Sequence, residues 1–259
     1  MRDEAKDAIK CLVAFSNGAS KCRGLSLGFF FLGGGLKEIS IFADESGEPG
    51  TRSKYYLLTL VFHDQSDSLD EPIRLYEQAL RDKGLPDIPL HSSPLMNGHE
   101  GYEGLDLATR KALLSTFFVM LQHMPVRYAT LAYDKSEFAT PVDLEARMKR
   151  DIVLLIFDQL DFFQGFDLAK IYYDDGQKIV TCAMHDALEY ALSKNALLYR
   201  DATPTSYRLS QAADLICALE LVAIKLNARE MTNTDEKFFG MSANFKKNWL
   251  RSVRKKRLS

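Results

Sequence analysis

Residues 168–177 read LAKIYYDDGQ, an apolar strand that ends in two adjacent carboxylates, Asp174 and Asp175, before a glycine. An Asp-Gly pair ordinarily makes a hairpin turn, and a hairpin needs a second strand. None follows. Val180, Ala183, Met184, Ala187, Leu188, Ala191 and Leu192 recur at helical spacing, so the chain passes from strand to helix. That junction points to an α/β sheet, and acids at the end of a core strand lie where open α/β sheets hold ligands.

The same arrangement opens the domain. In ISIFADESGEPG (39–50), Ile39, Ile41 and Ala43 alternate with Ser40 and Phe42, and Asp44 and Glu45 follow at the strand's mouth. Asp44 could be a turn residue accepting a backbone N–H two positions on, or a ligand-holding acid. Neighbouring strand residues point to opposite faces, so Asp44 and Glu45 share a site only if the strand has already turned. KYYLLTLVFHD (54–64) reads as a second strand in an antiparallel hairpin with the first.

A helix is expected next, with Ser68 and Glu71 as a capping box, Ile73, Tyr76 and Leu80 as its apolar stripe, and Gly84 as its stop. Residues 85–104 are rich in Pro and Gly and read as a long loop carrying His91 and His99; His91 is an accessory candidate, as proton shuttle or metal ligand. A helix over 106–123, a strand over 125–134 and a helix over 141–164 complete this half. The last opens on Thr140 as N-cap and Pro141 at its first position, with Asp143 and Glu145 in its first turn.

RLSQAADLICALELVAIKL (208–226) is apolar on nearly every side from a Ser210 N-cap onward, which marks a buried helix with Gln211 and Asp214 as its polar exceptions. A buried Asp needs a partner: a neighbouring loop, the helix dipole or a metal. Asp44, Asp174 and Asp214 thus lie at the edges of three core elements. Converging carboxylates could hold Mg²⁺ or Mn²⁺ for attack of water on a phosphodiester, with Glu45, Asp175 and Gln211 as further ligands or orienters.

The 259 residues are 46% hydrophobic, ample for one large domain or two small ones without disulfide staples. Cys11, Cys22, Cys182 and Cys217 form no C-x-x-C pair, and no stretch is long and apolar enough for a membrane span, so a reduced cytoplasmic setting is expected. Residues 1–36, including SLGFFFLGGGL, lack either period and read as an extension outside the domain. Net charge is −2, yet Lys246, Lys247, Arg251, Arg254, Lys255, Lys256 and Arg257 crowd the last fourteen residues, leaving −9 on the rest. That tail, 246–259, is either a frayed solvated end or a phosphate-binding strip, with Trp249 as a stacking or packing residue.

Taken in order, FADESG, LHSSPL, IYYDDGQ, LSQAADLICALEL and KFFG (237–240) resemble the bacterial domain of unknown function 3800 family. The resemblance spans 38 to about 245. It implies a ribonuclease H-like mixed β-sheet flanked by helices, and an acidic metal site on Asp44, Asp174 and Asp214 with Glu45 and Gln211 nearby. It also implies links to mobile elements and phage defence but settles no substrate; nucleic acid is the partner expected from the phosphodiester chemistry and the basic tail. Ribonuclease H-like nucleases usually add a helix glutamate, for which Glu71 and Glu77 are the candidates. The expected function is a metal-dependent phosphodiesterase or nuclease; the alternative is a catalytically silent binding module of the same fold. A nucleotide hydrolase of the P-loop type is disfavoured, because GGGLKE (33–38) lacks its spacing and its Lys-Ser/Thr pair.

Overall fold

The computed structural model describes residues 36–47, 53–173, 178–192, 196–199 and 207–258. Strands β1 (Glu38–Ser46) and β2 (Tyr55–Asp64) form the expected antiparallel hairpin, and β3 (Arg127–Asp134) adds antiparallel to β2. On the other side of β1, β4 (Leu168–Tyr173) and β5 (Ala196–Tyr199) run parallel to it, giving one mixed sheet in the order β3-β2-β1-β4-β5. The sequence reading offered no strand at β5, whose four residues are too few to show a period. Cys182 and Cys217 are free thiols. Among the described residues, no helix is long and apolar enough to cross a membrane.

Strand alternation divides the core in two. Ile39, Ile41 and Ala43 face one side, where they meet α4 (Pro141–Asp158), α5 (Leu160–Gln164) and α6 (Lys178–Leu192). Phe42 faces the other side, with Val61 and Tyr128, against α1 (Asp70–Asp82), α3 (Leu107–His123) and α7 (Arg208–Asn227). The expected α/β class and mixed sheet flanked by helices are therefore present. The helix α7 lies between the sheet and this outer layer, which is why nearly every side of it is apolar.

The ends of the helices follow local chemistry in some places and tertiary packing in others. Thr140 and Asp143 form a full capping box, with Pro141 in the first turn, as the sequence implied. Asp106 caps α3 by accepting the Thr109 N–H at 2.7 Å. Gly84 stops α1 at φ +62°, with the Leu85 N–H reaching the Leu80 carbonyl and the Gly84 N–H reaching that of Arg81, a Schellman ending.

The Ser68–Glu71 box does not form. Leu69 occupies the N-cap position, the Ser68 hydroxyl accepts only the Asp70 N–H, and Glu71 is drawn into a two-bonded pair with Arg74. Tyr207, not Ser210, sits at the N-cap of α7. The expected single helix over 141–164 breaks at Gln159, whose ψ of 28° ends α4 and lets the short α5 bring Phe163 against Phe62 at 5.5 Å.

The expected boundary at 245/246 falls inside a continuous helical run. After α8 (Asn233–Phe239) come α9 (Ser242–Asn244), a π-helical segment (Phe245–Leu250) and α10 (Arg251–Arg254). Phe245, Leu250 and Val253 are buried from it, and Trp249 packs between Phe118 at 4.4 Å and Phe239 at 5.1 Å. Beyond the run, Tyr128 of the edge strand β3 bonds the Lys256 carbonyl through its N–H and receives the Leu258 N–H at 2.7 Å. The basic tail is thus part of the domain, neither frayed nor detached. The expected extension lies outside the described residues as far as residue 35.

Candidate functional site

Strand β1 does not turn at its acids. Asp44 pairs with Thr59 and Glu45 with Leu58, still inside the ladder, so Asp44 is a strand residue. Two positions from Phe42, Asp44 faces α7; Glu45 belongs to the opposite face, where its hydrogen bond adds to the burial that pushes the Tyr56 phenol far up. The turn comes two residues later. Gly47 has φ +89°, and a Cβ there would lie 2.2 Å from the Tyr55 carbonyl oxygen, so no other residue fits that close approach.

Across from Asp44, α7 supplies Asp214. The two carboxylates line one cavity of about 530 Å³ together with Glu45, Ser46 and His91, and the cavity runs down α7 past Cys217, Ala218 and Leu221 to Lys225. Burial, then the charges of Asp214 and Glu45, push the Asp44 carboxyl well above the usual carboxylate range, and the Glu45 N–H only partly offsets them. Burial raises Asp214 as well, against the pull of His91 and of the Ser92 N–H. Behind this pair, burial and the Asp44 charge push the Cys217 thiol up, so it stays protonated.

Asp214 also has a structural task. Its Oδ2 accepts the Ser92 N–H at 2.7 Å, and one turn earlier the Gln211 Oε1 accepts the Leu90 N–H at 3.1 Å and an Arg208 Nη1 hydrogen at 3.2 Å. These bonds fasten 90–92 to α7. They also order a helix where a long loop was expected: α2 (Ser92–Asn97) opens after extended His91 and closes on left-handed Gly98. Six residues are too few to hold a helix alone, so its stability comes from this anchoring and from buried Leu95.

The sequence candidates separate accordingly. Asp44, Asp214, Glu45 and His91 come together at the cavity; the half-exposed His91 places Nε2 3.7 Å from Asp214 Oδ1 and Nδ1 3.7 Å from Glu100. Gln211, expected as a ligand or orienter, does not line the cavity; its Oε1 is turned to the 87–90 loop and accepts the Leu90 N–H. Asp174 and Asp175 lie outside the described residues; Tyr173, the last described residue of β4, pairs with Ala43, the neighbour of Asp44. Neither Glu71 nor Glu77 lines the cavity. Among the described residues, no group of three or more His, Cys, Asp or Glu side chains is disposed to hold a metal ion.

Two features escaped the sequence reading. Glu220 is a third polar side chain buried on α7, accepting from the Tyr128 hydroxyl at 2.6 Å and from Arg254 Nη2 at 2.7 Å. Burial works to raise its carboxyl, but Arg254 and Tyr128 outweigh that and hold it below the usual range. Lys225, at the far end of the cavity, pairs with Asp235 at 3.3 Å. An acid inside an otherwise apolar helix calls for a cation, and the basic tail was the obvious source for Glu220.

That pairing also sorts the tail. Arg254 is committed to Glu220, and the Lys256 ammonium donates to the Met124 carbonyl, its pKa lowered by burial. Lys246, Lys247, Arg251, Lys255 and Arg257 remain on the accessible surface.

The sequence matches no family model and no curated protein. Among solved structures, the chain is similar to one in the PCNA:RNase HII complex from Archaeoglobus fulgidus, at 16% identity and a TM-score of 0.39, over 85% of this chain and 91% of that one.

Proposed function

We propose that this protein is a metal-dependent phosphodiesterase acting on nucleic acid, built on a ribonuclease H-like form of its mixed sheet. The observation that carries the reading is the meeting of Asp44 and Asp214, from β1 and α7, in one cavity. Burial first, and the Asp214 charge second, raise the Asp44 carboxyl, an arrangement that a divalent cation would relieve. Asp44 and Asp214 would hold Mg²⁺ or Mn²⁺, with Asp174, the residue after Tyr173, as the third acid that the reading requires. Bound there, the ion would lower the pKa of an attacking water and stabilise the leaving oxygen of the phosphodiester.

The other residues position. Ser92 fixes the orientation of the Asp214 carboxylate through its N–H, and Glu45 adds negative charge from the neighbouring face. His91, half-exposed beside Asp214, is placed to pass a proton between the cavity and solvent. The motif resemblance to the domain of unknown function 3800 family supports the same assignment, including its link to mobile elements and phage defence.

The test is hydrolysis by purified protein of single- and double-stranded DNA and RNA. Activity should require Mg²⁺ or Mn²⁺, stop with chelator, and fall to background in Asp44→Asn and Asp214→Asn. A wild-type protein inert toward every substrate overturns the reading. The second reading, a silent binding module, is favoured by the bonds of Asp214 and Gln211 to the 90–92 backbone, which give both side chains a purely structural use.

The exposed part of the tail supplies a nucleic-acid contact in either case. Replacing Lys247, Arg251 and Lys255 by Gln should leave the melting temperature unchanged while flattening the salt dependence of binding. For each phosphate that the variant no longer neutralises, the log–log slope should fall by about 0.9 on duplex, or about 0.7 on single strands. An unchanged slope removes these residues from the interface.

A further inference from the structure

The cavity is longer than the chemistry at its acidic end requires. From Asp214 it follows one stripe of α7 through Cys217, Ala218 and Leu221 to Lys225, eleven residues on, which at the helical rise is about 16 Å. Its two ends differ in charge, one strongly negative and the other holding Lys225 paired with Asp235, which also lines the cavity. Asp44, Glu45 and Asp214 line one, and Lys225 is the sole Lys or Arg among the described lining residues. The floor between them is apolar. Lys225 Nζ bonds Asp235 Oδ2, which uses one of the three N–H donors of an ammonium, and about a quarter of the lysine side chain remains exposed.

We infer that Lys225 is a phosphate anchor, holding a phosphate downstream of the reacting one in a single-stranded nucleic acid that lies along α7. The inference rests on the phosphodiesterase reading for what happens at the acidic end. Geometry supplies the strand state. The Asp214 side chain is only 10% exposed and Asp44 is half-buried, so the acids are recessed below the surface on which a duplex would rest. A single strand can enter such a slot, pack sugar or base on the apolar floor and bring a later phosphate to Lys225. A span of about 16 Å covers several nucleotides at roughly 3.4 Å of axial rise per residue of stacked strand, so a mononucleotide bound at the acids cannot reach the lysine.

The competing explanation is that Lys225 serves only to neutralise Asp235, which completes the capping box of Thr232 at the start of α8 and is itself buried. Binding measurements separate the two. Equilibrium titrations with a phosphorothioate-linked, fluorescein-labelled oligodeoxythymidine, in Mg²⁺ and over a series of NaCl concentrations, give the log–log slope without cleavage. Lys225→Gln should lower that slope by about 0.7 and weaken binding, Lys225→Arg should retain it, and thymidine monophosphate should bind wild type and Lys225→Gln equally. On wild type itself, the oligonucleotide should protect Lys225 from acetylation by acetic anhydride, read by mass spectrometry, so a poorly folding variant does not decide the matter.

A slope unchanged in Lys225→Gln, or no protection of Lys225, overturns the inference. So does a wild-type protein that binds no oligonucleotide. None of these readouts needs hydrolysis. A protein that hydrolyses nothing yet shows the slope change and the protection keeps the anchor and loses the nuclease reading; one that cleaves without either keeps the nuclease and loses the anchor.

Discussion

A chain ending at residue 245 is expected not to melt cooperatively. The cut takes away buried Leu250 and Val253 and the packing of Trp249 on Phe118 and Phe239. Losses of this kind cost about 2–5 kcal/mol for each large core side chain. Glu220 would also lose Arg254, leaving a carboxylate inside the core with only the Tyr128 hydroxyl, at a further cost of about 3 kcal/mol. Together these rival the whole stability of an ordinary domain, about 5–15 kcal/mol. Far-UV circular dichroism during heating checks it: a sharp transition within a few degrees of the full-length protein would mean that the tail does not pack as described.

The tail shows how a charge pattern conceals an amphipathic one. Seven cations in fourteen residues read as a solvated strip, yet Phe245, Trp249, Leu250 and Val253 recur at i, i+4, i+5 and i+8, the stripe of a docked helix. The docking was foreshadowed by Glu220, whose burial in an apolar helix made a cationic partner necessary. Period and capping were legible wherever the signal was local. The alternation of β1 and β2, the Thr140–Asp143 box and the Gly84 stop each follow from a few adjacent residues.

What was not legible depends on distant neighbours. The Ser68–Glu71 pattern lost to an Arg74 ion pair one turn away, and α2 exists because α7 supplies acceptors from more than a hundred residues further on. The candidate site falls between these cases. That Asp44 and Asp214 sit on core elements could be read from their apolar surroundings; that they meet could not, since no spacing links β1 to α7. The strand continues through Ser46, so the pleat alternates Asp44 and Glu45 between its faces, yet both border the one cavity at the strand's end without the turn that sharing a site was expected to need. Gln211 holds the Leu90 N–H and not the cavity, because a shared helix face with Asp214 does not fix where a side chain one turn away finds its partner.

Metal-linked melting should separate an ion-holding pair from a structural one. The Asp44 carboxyl is raised in the fold above its ordinary 3.8, so the folded state keeps a proton over a pH window in which the unfolded chain has released it. Its contribution therefore favours folding below the ordinary value and is lost as pH rises through the raised one. At neutral pH without metal, Asp44→Asn should melt at or above wild type, and the advantage should shrink as pH falls. Asp214→Asn keeps an oxygen for the Ser92 N–H and should behave alike, whereas Asp214→Ala orphans that donor and should lose about 1–3 kcal/mol. Adding Mg²⁺ or Mn²⁺ at a hundredfold excess over Kd should stabilise wild type by about 2.7 kcal/mol. For a domain of this size that is a rise of roughly 5–10 °C, and both Asn variants should gain much less. If Asp44→Asn melts lower without metal while wild type ignores the ion, the acids at this cavity are structural and the binding-module reading takes precedence.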